Sequence, residues 1–142
     1  PENSREAQIA GRVLIVNDIA ETARSLHAPE STVEEDLEIL QSLIEFFRRT
    51  NNQTNPAGGL NEEIVNQLRG QNDKRLAVIP PDHPSINPGG QLVDRWGTPY
   101  FFHPVSRTIL EIRSAGPDQK LWTADDVQVG GEESGAVDEV RQ

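Results

Sequence analysis

The chain of 142 residues contains no cysteine, which excludes disulfide bonds and thiolate metal sites but leaves its compartment open. It also contains no methionine and begins at Pro1, so we expect a fragment whose natural N-terminus was removed. Aromatic residues make up only 5% of the chain and hydrophobic residues 35%, which predicts a small core and a large surface. No apolar run approaches the ~20 residues that span a bilayer, so no transmembrane helix is predicted.

Basic residues are also few: the chain has 13 lysines and arginines against 23 aspartates and glutamates, a formal net charge of -10. Proteins bind nucleic-acid phosphates through clustered lysine and arginine, so this balance argues against a nucleic-acid partner. The acidity fits a solvated surface, with or without bound cations. The length predicts one domain with a modest core.

The N-terminal region is predicted to be helical over residues 5–27, where apolar residues recur at steps of three and four. One stretch leaves an alternative open. The run "RVLIV" at 12–16 is also typical of a short buried strand, and Gly11 weakens a helix by about 1 kcal/mol.

A second helix is predicted over residues 32–50, because Ser31 and Glu34 form a capping box at its start. Its predicted apolar face consists of Val33, Leu37, Leu40, Leu43, Ile44, Phe46 and Phe47. A polar loop follows, and then a short helix at about 61–69 with Gly70 as its C-terminal cap. Its inward residues are predicted to be Ile64, Val65 and Leu68.

After Gln71 the pattern changes to proline-rich, extended chain and then to strands. The segments 98–105 and 107–114 predict an antiparallel meander, since Leu110 and Ile112 alternate with charged residues in the second. From Val129 onward the chain is glycine-rich and acidic, which is typical of disorder.

The loop after the last predicted strand is rich in oxygen donors, with Ser114, Asp118, Asp125 and Asp126 close in sequence. Calcium prefers six to eight oxygen ligands, and Gly116 allows backbone angles that turn carbonyl groups inward. The spacing is not that of an EF-hand. From these residues alone, an acidic surface loop without an ion and a calcium loop are both possible, and the first is the commoner arrangement.

No constellation of catalytic residues stands out elsewhere. The three histidines, His27, His83 and His103, are far apart in sequence and favour structural roles. The pair Glu62 and Glu63 fits the first turn of a helix, where carboxylates are favoured by the helix dipole. The aromatic residues Trp96, Tyr100, Phe101 and Phe102 are expected to fill the core.

Two segments together resemble a known family. "DRWGTPYFFH" followed by "IRSAGPDQKLWTADDV" is similar to the C-terminal half of the major pseudopilins of type II secretion systems. The matching positions are Asp94, Trp96, Gly97, Pro99, Tyr100, Ser114, Gly116, Asp118, Asp125 and Asp126. The stretch "FFRRTNNQTNPAGGLNEEIVNQL" resembles the family's helix, proline-containing loop and second helix. Arg95 stands where the family has proline, and no prepilin leader is visible.

The resemblance covers about residues 33–127 and implies an α+β fold. In that fold a long N-terminal helix packs on a small antiparallel β-sheet that ends in a C-terminal calcium-binding loop. We accordingly divide the chain into an N-terminal helical segment (1–28), a pseudopilin-like domain (29–128) and the acidic tail (129–142).

The resemblance also implies that the loop binds Ca²⁺. We expect the charge to come from Asp118, Asp125 and Asp126, and a hydroxyl ligand from Ser114. The remaining ligands would be backbone carbonyls near Ala115 and Leu121.

The implied function is structural and not enzymatic. We expect an exported protein, periplasmic or in the cell envelope, which associates with itself or with secretion or envelope components. It would be held at the inner membrane by an N-terminal anchor that this chain does not contain. The alternative is an envelope-anchored binding module with the same fold that forms no filament. A hydrolase that uses the acidic cluster is a third possibility, but no sequence feature points to it.

Overall fold

The computed structural model describes residues 13–130, and within that range the fold is mixed helix and sheet. The elements in chain order are β1 (Leu14–Ile15), α1 (Asn17–Arg24), α2 (Val33–Thr50), α3 (Asn61–Leu68), β2 (Leu76–Ala77), β3 (Phe101–Ser106), β4 (Ile109–Ser114) and β5 (Val127–Val129). Strands β3, β4 and β5 form an antiparallel sheet, and β1 pairs with β2 in parallel. The α+β class is therefore confirmed. None of the helices in the described range is long and apolar enough to cross a membrane.

Helix α2 lies where it was predicted, but its capping box is one residue further along. Thr32 is the N-cap: its hydroxyl accepts from the Glu35 amide at 3.2 Å, and its own amide donates to the Glu35 carboxylate at 2.9 Å. The prediction of Ser31 and Glu34 is wrong because the Ser31 amide is already bound to the Ala28 carbonyl in the preceding turn. The helix packs its buried face against β4 and β5.

The N-terminal region is less helical than predicted. Helix α1 begins only at Asn17, and residues 13–16 are not helical. The Leu14 amide donates to the Arg75 carbonyl at 2.8 Å and the Val16 amide to the Ala77 carbonyl at 3.0 Å, so a distant segment supplies the hydrogen bonds of a strand. The alternative prediction, a short buried strand at 12–16, is closer to the observed structure. The strand is exposed and not buried, however, at both Leu14 and Ile15. Residues 5–12 lie outside the described range.

Helix α3 confirms the short helix predicted at about 61–69. Gly70 follows it with φ +109°, the left-handed conformation expected of a C-terminal cap. The predicted inward residues Ile64, Val65 and Leu68 are all buried. Asn61, at the start of the helix, donates its amide to the Tyr100 carbonyl at 2.7 Å and accepts from the Leu92 amide at 2.9 Å. The helix is thereby tied to the chain that enters the sheet.

The antiparallel meander is confirmed, with a shift of register between Pro104 and Ser106. Leu110 and Ile112 on β4 are buried in the core, as their alternation predicted. Val129, the first residue of the predicted tail, belongs to β5 and packs against the core. Residues 131–142 lie outside the described range, so the disorder expected there stays a prediction, as does the division into domains.

Candidate functional site

The aspartate loop, residues 115–126, connects β4 to β5. Thr123 connects two of its three carboxylates, because its hydroxyl oxygen lies 2.6 Å from Asp118 Oδ2 and 3.4 Å from Asp126 Oδ1. Asp125 Oδ2 accepts from the Asp118 backbone amide at 3.0 Å. The three aspartates are thus linked by hydrogen bonds within the loop, and their convergence on one ion stays a prediction.

A positive charge stands beside these carboxylates. Arg113, on β4, places Nη1 3.2 Å from Asp126 Oδ2 and Nη2 2.7 Å from a Glu111 carboxylate oxygen. Its guanidinium also lies 4.5 Å from the ring centre of Trp122, which is exposed. Partial burial raises the pKa of Asp126. Hydrogen bonds from the Trp122 and Thr123 amides, together with Arg113, outweigh that effect and hold the pKa below its usual value.

The other carboxylates of the loop are exposed and less fully paired. Asp118 accepts from the Lys120 amide at 2.9 Å, and Asp125 Oδ1 makes no hydrogen bond with a described residue. This all-oxygen donor set is what a hard cation prefers. Between residues 13 and 130, however, no group of three or more His, Cys, Asp or Glu side chains is arranged to hold a metal ion. The calcium site therefore stays a prediction.

The Ser114 hydroxyl binds Asp94 and not the carboxylates of the aspartate loop. The serine is buried, and its hydroxyl donates to Asp94 Oδ2 at 2.7 Å. The other Asp94 oxygen accepts from the backbone amides of Trp96 and Thr98, at 3.0 and 2.9 Å. Asp94 thus joins the turn of the "DRWGTPY" segment to the end of β4, which is a physical reason for the two motifs to occur together.

The two positions expected to offer carbonyl ligands differ in their exposure to solvent. Ala115 is buried and Leu121 is half-buried beside Phe101. Gly116 has φ +78°, and a Cβ there would lie 2.3 Å from the Asp125 carbonyl oxygen. Only glycine allows this approach, so the predicted role of Gly116 in shaping the loop is confirmed.

A buried polar cluster, which the sequence did not predict, connects α2 to the loops beneath it. Asp36 is fully buried, and its carboxylate binds Arg95 Nε at 2.5 Å and the His27 backbone amide at 2.9 Å. The His27 ring hydrogen-bonds to the Ser85 hydroxyl through Nδ1 at 2.7 Å and to the Tyr100 hydroxyl through Nε2 at 2.8 Å. These five side chains tie four separate segments of chain to one another.

The electrostatics of this cluster favour a neutral histidine beside an ion pair. Burial lowers the pKa of His27, although the nearby Asp36 carboxylate acts in the opposite direction. Hydrogen bonding to Asp36 raises the pKa of Arg95, and burial raises that of Tyr100. His83, whose ring nitrogen bonds to the Ala23 carbonyl at 3.0 Å, likewise has its pKa lowered by burial.

Two signals in the sequence pointed to this cluster. Asp36 lies three residues after Val33 and four before Leu40, which places a charged residue on the predicted apolar face of α2. Arg95 departs from the family pattern, which has proline there. A buried carboxylate requires a partner, and the arginine supplies it.

Comparison of the chain with protein-family models, with curated proteins and with solved structures returned no match. The resemblance to pseudopilins therefore rests on the sequence motifs alone.

Proposed function

We propose that this chain is a non-enzymatic structural protein, the calcium-stabilised, pseudopilin-like head of an exported subunit in a type II secretion-related system. The observation that supports the proposal is the hydrogen bonding that links Asp118, Asp125 and Asp126 within the loop between β4 and β5. Its partners would be copies of itself or components of the secretion apparatus or envelope. The exposed Trp122 beside this loop offers apolar area for such a contact.

Calcium would be held by Asp118, Asp125 and Asp126, with further oxygens from the backbone carbonyls near Ala115 and Leu121. The Ser114 hydroxyl, bound to Asp94, would stay outside this ligand set. An ion that binds only the folded loop stabilises the fold by RT ln(1 + [Ca]/Kd). A tenfold excess over Kd contributes about 1.4 kcal/mol. Because β4 and β5 both pack on α2, this stabilisation would extend to the sheet and its helix.

The test is thermal unfolding of the full chain with calcium and with a chelator. At tenfold excess over Kd, calcium should raise Tm by about 4 °C for a chain of this size. Asp118→Ala should abolish the difference. Asp82→Ala, which removes an exposed aspartate outside the loop, should preserve it. Identical melting curves for the wild-type chain in both conditions would refute the ion site.

A further inference from the structure

A polar cavity of about 480 Å³ lies on other elements of the fold, between the C-terminal ends of α2 and α3. The loop after α2 and the turn at residues 71–75 close its sides. Side-chain amides dominate its lining: Asn51, Asn52, Asn55, Gln67, Gln71 and Asn72. Its size is typical of small-molecule sites, which span roughly 300–1,000 Å³.

Two of the amides hold the walls in place. Asn55 accepts from Arg48 Nε at 2.8 Å and donates to the Ser106 carbonyl at 2.7 Å, which fixes the loop against the turn between β3 and β4. Asn72 donates to the Gln67 carbonyl at 2.7 Å and accepts from the Leu76 amide at 3.2 Å. The cavity is therefore built by the fold before any ligand arrives.

The remaining amides keep polar groups available. Asn51 Oδ1, Gln67 Oε1, Gln71 Nε2 and both polar atoms of Asn52 make no hydrogen bond with any described residue. The cavity thus presents donors as well as acceptors. An apolar ligand would leave these groups unpaired, which is costly, whereas each hydroxyl of a polyol both donates and accepts.

The charge around the cavity favours a neutral ligand. Asp73 and Arg75 both line it and carry opposite charges. Two helices also end there with partial negative charge, which Arg48 and Arg49 in the last turn of α2 offset, so this wall of the cavity carries little net charge. Phe47 lies at the base of the same cavity but is only 2% exposed, so the contacts open to a ligand are polar.

Left-handed backbone conformations also occur at and beside this cavity. Asn52, Gln53 and Arg75 all have left-handed backbones, with φ of +60°, +59° and +54°. Residues other than glycine rarely adopt this backbone conformation. Where they do, the surrounding structure imposes it, and such residues cluster at binding sites. The Gln53 amide is held by the Arg48 carbonyl at 2.8 Å.

We propose that this cavity binds a neutral carbohydrate, one or two sugar units in size, through the amides of Asn51, Asn52, Gln67 and Gln71. The inference goes beyond the calcium-stabilised head, because the cavity shares no lining residue with the aspartate loop. A neutral sugar satisfies both amide donors and amide acceptors.

The experiment is an NMR titration of the isotopically labelled full chain, in chelator, with glucose, N-acetylglucosamine, galactose, maltose and cellobiose. Weak sugar sites have Kd near the millimolar range, so the titration extends to about 50 mM. At least one neutral sugar should give saturable shifts confined to the cavity. Glucuronate, the charged counterpart of glucose, should bind more weakly than glucose.

Two variants assign the binding to the amides. Asn52→Gly removes one amide while glycine tolerates the left-handed backbone, and Gln71→Ala removes another. Each should weaken binding about three- to tenfold, the loss expected for one neutral hydrogen bond. Gln119→Gly is the matched control, since Gln119 has φ +61° in the aspartate loop, and it should bind like the wild type.

Three results would overturn the proposal. These are the absence of saturable shifts with every neutral sugar, shifts that lie outside the cavity, and glucuronate binding as tightly as glucose. Because calcium is absent throughout, failure here leaves the calcium test unaffected, and the reverse also holds.

Discussion

Replacing Asp36 by alanine tests how much of the fold depends on the buried cluster. The carboxylate is fully buried and binds two nitrogens of Arg95, Nε at 2.5 Å and Nη2 at 3.2 Å. It also accepts from the His27 backbone amide. Its removal leaves a guanidinium that is only 19% exposed without its partner, and an amide without its acceptor.

The size of the effect follows from that geometry. Breaking a buried ion pair by removing one partner costs about 3–5 kcal/mol, because the remaining charge is uncompensated. Single domains are stable by about 5–15 kcal/mol, so Asp36→Ala should remain folded only marginally. Asp36→Leu combined with Arg95→Met should recover most of the loss, since no buried charge then remains.

Urea unfolding followed by circular dichroism measures these differences. With m near 1.5–2 kcal/mol/M, the Asp36→Ala midpoint should fall by about 1.5–3 M. Arg95→Lys keeps the charge but loses the two-nitrogen contact, and it should lie between the wild type and Asp36→Ala. If Asp36→Ala lowers the free energy of unfolding by less than about 1 kcal/mol, the pair contributes no more than an exposed ion pair. That result would contradict the cost expected for an unpaired buried charge.

Two further predictions concern pH and the loop. Burial holds the pKa of His27 and His83 below the usual value of 6.5, so the folded chain keeps both neutral. Stability is therefore complete above about pH 6.5 and falls as the unfolded chain takes up protons, by at most ~1.4 kcal/mol per pH unit and histidine. In urea unfolding between about pH 7 and 5, His27→Gln should reduce this slope; a slope equal to that of the wild type would contradict the effect assigned to His27. Gly116→Ala should destabilise the fold by ~1–3 kcal/mol, because it combines a left-handed backbone with a 2.3 Å approach to the Asp125 carbonyl; an unchanged urea midpoint would show that the loop relaxes freely.

Local patterns in the sequence determined the elements whose hydrogen bonds are local. Helices α2 and α3 follow from their apolar spacing, and the Gly70 cap follows from the left-handed backbone that glycine tolerates. The alternation of β4 was equally legible, because one face of the strand is buried. The gathering of Asp118 and Asp126 followed from their nearness in sequence.

Tertiary structure decided whatever depends on partners distant in sequence. Residues 14–15 became a strand because residues 76–77 offered hydrogen bonds that local helix propensity could not anticipate. The sequence near Asp36 indicated no ion-pair partner, because that partner, Arg95, lies 59 positions away and reaches Asp36 only in the folded chain. The amide-lined cavity arose in the same way, from the ends of two helices. A chain specifies its local geometry residue by residue, but the neighbours that neutralise a buried charge or enclose a cavity exist only after the core has assembled.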